Sequence, residues 1–406
     1  MGSCFRGTAT SSLRDSLIAR DFLGEHREST DAKHTSRFAI RTISGHFCRA
    51  RDKSSVLCKL LAEMRRFARS ALLCVGVAYP SGLVVLWLAL RLVSEDWWLT
   101  DSLLYLPRLP LVAPLVILVP LLWVLGFRRT TYLQGVALFV WLFPLMGVVV
   151  NWPTTIAGKP SLRVLSFNVN SCAAGANRVS NAILTYNADV VLVQESESEE
   201  LKVELSRVYP AVHMSTQFLI ASRYPIVEVS DPEKLAYGGQ RRSPRFMRYV
   251  IKSPWGMVTF FNVHPISPRA ALLDLRSHAR RKIMTGTLFS DVETAHVSQN
   301  GGLRQLQIET VAHLATAESN PVVVAGDTNS PGLSKGIARN FATFHDGFET
   351  VGLGLGYTYP ARLRWMRLDR IFASNFFRFV NFKVGCEGVS DHLCVLGDLN
   401  VSRGSK

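Results

Sequence analysis

The chain has 406 residues, 48% hydrophobic and only 19% charged, yet it carries a formal net charge of +15 from 46 Lys+Arg against 31 Asp+Glu. A mean hydropathy of +0.16 beside that charge excludes an acidic disordered chain, and the length excludes a disulfide miniprotein. The two excesses lie in different places: residues 1–70 carry net +7, 71–160 net +2 and 161–406 net +6.

The first 63 residues are rich in Ser, Arg and His and lack sustained periodicity, and Asp15, Asp21, Glu25, Glu28 and Asp31 argue against a transit peptide. Two readings stay open: residues 1–70 are a basic, disordered cytoplasmic tail, or translation begins at Met64, where MRRFARS leads straight into an apolar run. Ala71–Leu90 and Leu109–Phe127 contain no charge, and neither does Thr130–Gly158, whose apolar core is Tyr132–Val150. A membrane-crossing helix needs about 20 apolar residues, so residues 71–152 are expected to form about three transmembrane helices. Buried core helices are the competing reading. Pro80, Pro114, Pro120 and Pro144 are compatible with membrane helices, although they also allow the second run to be a re-entrant hairpin. Arg65, Arg66 and Arg69 before the first run, and Arg128 and Arg129 before the third, mark the cytoplasmic side. Three spans then put everything after Trp152 outside the cytoplasm, with Trp97, Trp98 and Trp152 at the outer interface.

Residues 161–406 read as a globular block long enough to bury a sizeable core. Strands are predicted at Arg163–Asn170, Asp189–Glu195, Phe218–Ser222, Met247–Lys252, Met257–His264, Pro321–Asp327, Arg367–Ala373 and His392–Asn400, from β-branched and aromatic runs. Short helix is expected at Asn181–Tyr186 and amphipathic helix at Leu303–Thr316. Many strands with few helices between them suggest two packed sheets flanked by helices. Residues capable of catalysis recur where apolar strands begin or end: Asn168, Asn170, Glu195, His264, Asp327, Asn329, Asp369, Asp391 and His392. Rigid scaffolds put functional groups at such ends. Alone, Gly326-Asp-Thr-Asn329 is usually a turn, Ser390-Asp-His392 serves equally as a helix cap, and His264 suits a satisfied core histidine. Their succession along the chain is what points to a site.

Phe167-Asn-Val-Asn170, Gln194-Glu-Ser196, Asn262-Val-His264, Gly326-Asp-Thr-Asn329, Arg367-Leu-Asp-Arg-Ile-Phe372 and Ser390-Asp-His392 together resemble the signatures of the endonuclease/exonuclease/phosphatase superfamily, over about Leu162–Val401. The anchor-plus-domain layout is similar to its bacterial membrane-tethered members. The resemblance implies an α/β fold, a four-layer sandwich of two packed mixed sheets flanked by helices, and a metal-dependent hydrolase acting on phosphate esters.

Cleaving a phosphate ester calls for positive charge on the phosphoryl oxygens, a positioned nucleophile and in-line geometry. Mg²⁺ or Mn²⁺ is the implied cofactor, and such ions favour oxygen ligands. Glu195 is the foremost ligand candidate, because a carboxylate ending an apolar strand has little packing use. The resemblance adds Asn168, Asn170 and Asp391 to the shell. Relatives often carry Asp where Asn170 stands, which removes one charge here. It also implies that Asp327 readies water, oriented by Asn329, and that His264 and His392 lie on the phosphate, with Asp369 orienting His392.

Several features stay outside that pattern. Arg241, Arg242, Arg245 and Arg248 suit either a solvated strand edge or a phosphate-binding rim. Gly356-Tyr-Thr-Tyr-Pro360 resembles an aromatic loop that many relatives hold near substrate. Ser290–Gly302, polar and containing Gly301-Gly302, reads as a flexible loop or lid. Cys172, Cys386 and Cys394 allow one disulfide with one thiol left over. The expected partners are a membrane and a phosphate-ester substrate, either nucleic acid or a phospholipid headgroup. A non-catalytic membrane binding module on the same fold is the contrasting class.

Overall fold

Strand β2 (Leu162–Asn168) shows how the globular part is built. Leu162 and Val164 face one core, whereas Leu165 and Phe167 face another. Side chains alternate along a strand, so one that is apolar on both sides must be covered on both. The computed structural model describes residues 54–152, 160–285 and 291–402. The chain divides into two units, with the boundary between Ser70 and Ala71. Most of the expected tail lies outside the described residues. From Ser54 that part is not disordered but helical, belonging to α1 (Ser54–Leu88).

Within the second unit two six-stranded sheets face each other. The first has the order β15-β16-β2-β3-β5-β4: Phe377–Gly385, Cys394–Val401, β2, Val190–Gln194, Phe218–Ser222 and Ala211–Ser215. The second runs β12-β14-β11-β10-β9-β6: His345–Asp346, Asp369–Ala373, Val322–Asp327, Gly256–Val263, Phe246–Ser253 and Ile226–Ser230. Each sheet is mixed, with one parallel pair at its centre, β2/β3 and β10/β11. Val190, Leu192, Phe218, Tyr249, Phe260, Val323 and Ile371 fill the space between the sheets. Helices α5 (Ala176–Leu184) and α6 (Glu199–Ser206) cover the first sheet through Val179, Ile183, Leu201 and Leu205. Helices α8 (Asp291–Ala317) and α9 (Lys335–Asn340) cover the second through Ile308, Val311, Ala315 and Ile337. Each fully buried Val, Leu or Phe contributes roughly 1.5–3 kcal/mol. Helix α7 (Arg269–Thr285) precedes α8, and α10 (Gly347–Val351) lies beside β15. Strands β7 (Leu235–Tyr237) and β8 (Gln240–Arg242) form a separate hairpin.

Among the described residues the expected three transmembrane helices are not found; one helix there, Leu57–Asp96, is long and apolar enough to cross a membrane, with mean hydropathy 2.0 over its most apolar stretch. Helix α2 (Trp98–Leu104) and residues Leu109–Val124 reach that standard only together, across a 90° bend. The break, residues 105–108, contains Pro107; a 3-10 turn with Pro110 follows at Leu109–Val112, and the α-helix beyond it, α3 (Ala113–Val124), has only 12 residues. In the third expected span, α4 (Arg128–Val140) gives way to a π-helical turn containing Pro144. Val149–Val150 then leaves as strand β1 to pair with β13 (Leu353–Gly354). Trp98, expected at a membrane interface, packs against Ala271, Leu275 and Val297. Ser290 lies outside the described residues, but Asp291–Gly302, expected as a loop, is the first part of α8.

Candidate active site

Alternation along the strands sets the site. In β2 the even-numbered side chains face the opposite sheet, which carries Asn168 inward at the strand's end; in β11 Asp327 arrives the same way. The two meet across the sandwich. Asn168 Nδ2 donates to Asp327 Oδ2 and to Glu195 Oε1, each at 3.1 Å. Asn168 Oδ1 accepts from Asn170 N at 3.0 Å, so the amide points its donors at the two carboxylates. Asn170 therefore enters through its backbone. Beneath this pair, Gln194 Nε2 donates to Asn262 Oδ1 at 2.7 Å, while Asn262 Nδ2 donates to the carbonyls of Val193 and Leu219. That buried bracket ties the ends of β3 and β10, and hence the residues that follow, Glu195 and His264. Gly326 has φ 155°, and a Cβ there would lie 2.0 Å from the Val263 carbonyl oxygen, so only glycine lets β11 run this close to β10.

Asp327 is almost wholly buried. Its Oδ1 accepts from Asn329 N at 2.8 Å, and its Oδ2 lies 3.6 Å from both His264 Nε2 and His392 Nε2. Asn329 Nδ2 donates to the Pro265 carbonyl at 3.0 Å. His392 Nδ1 donates to Asp369 Oδ2 at 2.9 Å, and Asp369 is held from behind by Thr358, whose Oγ1 accepts from the backbone N–H groups of Leu368 and Asp369. The Tyr359 ring lies 4.6 Å from the His392 ring. Asp391 Oδ2 accepts from Arg269 Nη2 at 3.1 Å, and the same nitrogen donates to the Tyr359 hydroxyl at 2.8 Å.

The two imidazoles differ in charge. Burial pushes His264 down to about 4, against the pull of Asp327, so it is neutral at physiological pH. Burial also works against the charged form of His392, but Asp369 and then Asp327 outweigh it and lift the pKa to about 10, which makes His392 an imidazolium. Burial pushes the Asp327 carboxyl upward while the His392 imidazolium opposes it. His264 Nδ1 lies 2.6 Å from Gln217 Oε1, leaving Nε2 buried without a hydrogen-bond partner, 3.3 Å from Glu195 Oε1.

Glu195, Asp327, Asp369 and Asp391 thus gather around the two imidazoles, of which His392 carries charge, with Arg269 paired to Asp391 and Arg245 acting on Glu195. Such an excess of carboxylate suits a hard cation. Glu195 and Asp391, about one-third exposed, are the carboxylates open to solvent. Asp327, Asp369 and His392 could also ligate a metal, but they are buried and already face one another. A cavity of about 880 Å³, lined by Trp152, Phe348, Tyr357, Arg378 and Phe382 among others, holds none of these groups, and chemistry rather than volume locates the site.

All nine residues singled out in the sequence fall at this end of the sandwich. Of the four arginines, Arg248 pairs with Glu318 and Glu228, Arg241 and Arg242 are exposed on the β7–β8 hairpin, and Arg245 accepts the His264 backbone N–H through its carbonyl. Gln217, Arg269, Thr358 and Tyr359 were not named individually. The last two belong to the singled-out aromatic loop; Gln217 sits in a β4–β5 turn without any local signal. The Ser390 hydroxyl donates to the Asn168 carbonyl and joins the last motif to the first. A disulfide between Cys386 and Cys394, with Cα atoms 5.4 Å apart, closes the loop that carries Asp391 and His392, and Cys172 is the free thiol of this block.

Solved structures similar to this chain include an endonuclease/exonuclease/phosphatase from Beutenbergia cavernae DSM 12333 (18% identity over 60% of this chain and 72% of that one, TM-score 0.42). A family protein from Leptotrichia buccalis C-1013-b (16% identity, 59% and 99% covered, TM-score 0.43) and a mannosyl-6-phosphatase of Bacteroides thetaiotaomicron (15%, 59% and 99%, 0.41) are similar too. No curated protein matches the chain. Residues 165–392 match the profile of the Endonuclease/Exonuclease/phosphatase family, and the chain belongs to that family of phosphate-ester hydrolases.

Proposed function

We propose that this hydrolase is a divalent-metal-dependent phosphodiesterase, tethered to a membrane, that uses Asp327 as its base. The observation that carries the reading is Asp327 itself: a buried carboxylate fixed by the Asn329 N–H and Asn168, set between one neutral and one charged imidazole. Glu195 and Asp391, with Asn168 and Asn170 beside them, would hold Mg²⁺ or Mn²⁺, which supplies positive charge to the phosphoryl oxygens. Asp327 takes the proton of the attacking water as its oxygen bonds to phosphorus. The ester P–O bond opposite breaks, and the departing oxygen takes up a proton from solvent. His392, held as a cation by Asp369, offsets the charge that gathers on the phosphoryl group, and neutral His264 contacts it from the other side.

Membrane tethering draws support from outward-facing side chains: Val116, Ile117, Val124, Tyr132 and Phe139 are all more than half exposed on α3 and α4, where a soluble protein seldom leaves so continuous an apolar surface. The Cys386–Cys394 disulfide suits an oxidising compartment, in line with a catalytic domain outside the cytoplasm. A phospholipid headgroup is a second reading beside nucleic acid, favoured by one observation. Leu333, Met366 and Leu368, neighbours in sequence of Asn329 and Asp369, pack against Leu83, Leu90, Leu104 and Leu145, so the apolar helices attach close to the segments that carry these two site residues.

The test is hydrolysis of bis-p-nitrophenyl phosphate, plasmid DNA and phospholipid vesicles by the purified full chain, with Mg²⁺, with Mn²⁺ and with EDTA. Metal-dependent cleavage abolished by Asp327→Ala is expected. Absence of cleavage under every condition, or activity that survives EDTA and Asp327→Ala, refutes the reading.

A further inference from the structure

Residues 94–105 lie inside the apolar block, where they read as a polar turn between two apolar helices. Their polar side chains are nevertheless buried: Ser94, Glu95, Thr100 and Asp101 are each 4% exposed or less. What buries them is the catalytic part of the same unit. Asp101 Oδ1 accepts from Arg304 Nη2 of α8 at 2.7 Å, with both groups shut off from solvent. Ser94 Oγ accepts from the backbone N–H of Lys335 at 3.0 Å, and Glu95 Oε1 accepts from Ser334 Oγ, both at the start of α9. The segment ends at Tyr105, whose hydroxyl donates to the backbone carbonyl of Asn329 at 2.8 Å. The Arg304 guanidinium lies 5.5 Å from the Tyr105 ring centre, and Trp365 Nε1 donates to the Tyr105 carbonyl at 3.3 Å. Tyr105 is thus fixed from several sides.

The acceptor it reaches is not an ordinary one. Asn329 has φ 47°, the left-handed region that a residue with a side chain enters only when its surroundings fix it there. Three hydrogen bonds do so. The Asn329 N–H donates to Asp327 Oδ1, its side-chain amide donates to Pro265, and its carbonyl accepts from Tyr105. The first orients the proposed base, and the third comes from 224 residues away.

We propose that Tyr105 is a positioning residue for the Asn329–Asp327 pair, so that the segment between the apolar helices is part of the active site and not a spacer. This rests on the reading of Asp327 and Asn329 as catalytic machinery. A segment that merely glued the two parts together would need its ion pairs but would have no reason to end on the carbonyl of a left-handed asparagine bonded to the base.

The experiment is Tyr105→Phe in the full chain, alone and combined with Asn329→Ala. Amide exchange over residues 326–334 is followed by mass spectrometry, and turnover of bis-p-nitrophenyl phosphate is measured with Mg²⁺. One hydrogen bond of this kind corresponds to about a three- to tenfold effect. Tyr105→Phe is expected to lower kcat by about that factor with KM within about twofold, to speed exchange over 326–334 similarly, and to add nothing once Asn329 is alanine. Unchanged exchange over 326–334, or an equal loss of kcat in the Asn329→Ala background, overturns the proposal. The exchange measurement needs no substrate, so a chain that hydrolyses nothing would refute the functional reading and leave the positioning decided separately. Should Tyr105→Phe fold poorly, Asp101→Asn loosens the same segment while keeping the hydroxyl. It is expected to speed exchange over 326–334 to a smaller degree; faster exchange confined to 94–105 overturns the proposal equally.

Discussion

The charge on His392 can be altered by one substitution. Two carboxylates face its ring, Asp369 Oδ2 at 2.9 Å from Nδ1 and Asp327 Oδ2 at 3.6 Å from Nε2. Burial alone would lower the pKa below the ordinary 6.5, yet it stands at about 10, with Asp369 the strongest of the raising influences. That rise corresponds to about 5 kcal/mol in favour of the imidazolium, at about 1.4 kcal/mol per tenfold in proton affinity. Asp369→Asn keeps an oxygen that can accept from Nδ1–H but removes the nearer charge. One adjacent opposite charge moves a pKa by about 1–3 units, so the variant's imidazole should titrate between about 7 and 9. If the imidazolium is what offsets charge on the phosphoryl group, the alkaline limb of kcat/KM should move from about 10 into that range, while rates near pH 6 change little. Stability should follow the same direction. Because the folded-state pKa lies above the unfolded one, the stabilisation is complete below pH 6.5 and is lost as the pH rises through about 10. The variant should lose less stability across that window, read by thermal unfolding from pH 6 to 10.5. An alkaline limb in the same place for both proteins would refute the assignment of His392 as the charged group.

Three further outcomes are expected. Asp327→Asn preserves shape but removes the base, so kcat should fall about 10²- to 10⁴-fold while circular dichroism stays unchanged; retention of more than a tenth of the activity would remove Asp327 from the proton transfer. Breaking the Cys386–Cys394 bond, by serine at both positions, should cost about 2–3 kcal/mol in a denaturant titration, since the closed loop is short; reductant should lower the wild type to the same level. Gly301→Ala would add up to about 1 kcal/mol of stability in an open helix. Here its Cβ would lie 2.6 Å from Asp101 Oδ2, so a loss of about 1–3 kcal/mol is expected, and a gain would show that Asp101 does not dock there.

The candidate cluster was legible because its parts are local. An apolar strand followed at its end by Asn, Glu or Asp gives itself away within about seven residues, and alternation fixes which way the last side chain points. The strand β15 (Phe377–Gly385) was not legible, although it is the longest among the described residues. Its nine residues mix aromatic, Arg, Asn and Lys side chains at the edge of a sheet, where only some positions are buried. The role of Asn168 as a donor between two carboxylates also escaped, because the choice between an amide's oxygen and its nitrogen depends on partners 27 and 159 residues away. The spans erred for a related reason. A run of uncharged residues measures composition, whereas length as helix was decided by Pro107, Pro110 and Pro144, and by β13, which took Val149 and Val150 into a strand pair.

The docking of residues 94–105 shows why two separate oddities resisted local reading. Glu95 and Asp101 belong to what reads as a polar turn between apolar runs, and Gly301-Gly302 read as part of a flexible loop or lid. Each assignment is sound for its own neighbourhood, since acids favour water and glycine weakens helices by about 1 kcal/mol. Joined in space, they explain one another. The absence of a Cβ at Gly301 lets Asp101 reach Arg304 across the helix face, and at Gly302 it makes room for the Tyr237 hydroxyl of the β7–β8 hairpin. The helix tolerates two glycines because they admit contacts worth more than the propensity lost. A buried Asp101 without Arg304 would cost several kcal/mol, so neither half of the contact is stable alone. Paired anomalies of this kind, an acid where a membrane turn needs none and a glycine where a helix wants none, mark long-range contacts that no window of 10 or 20 residues can contain.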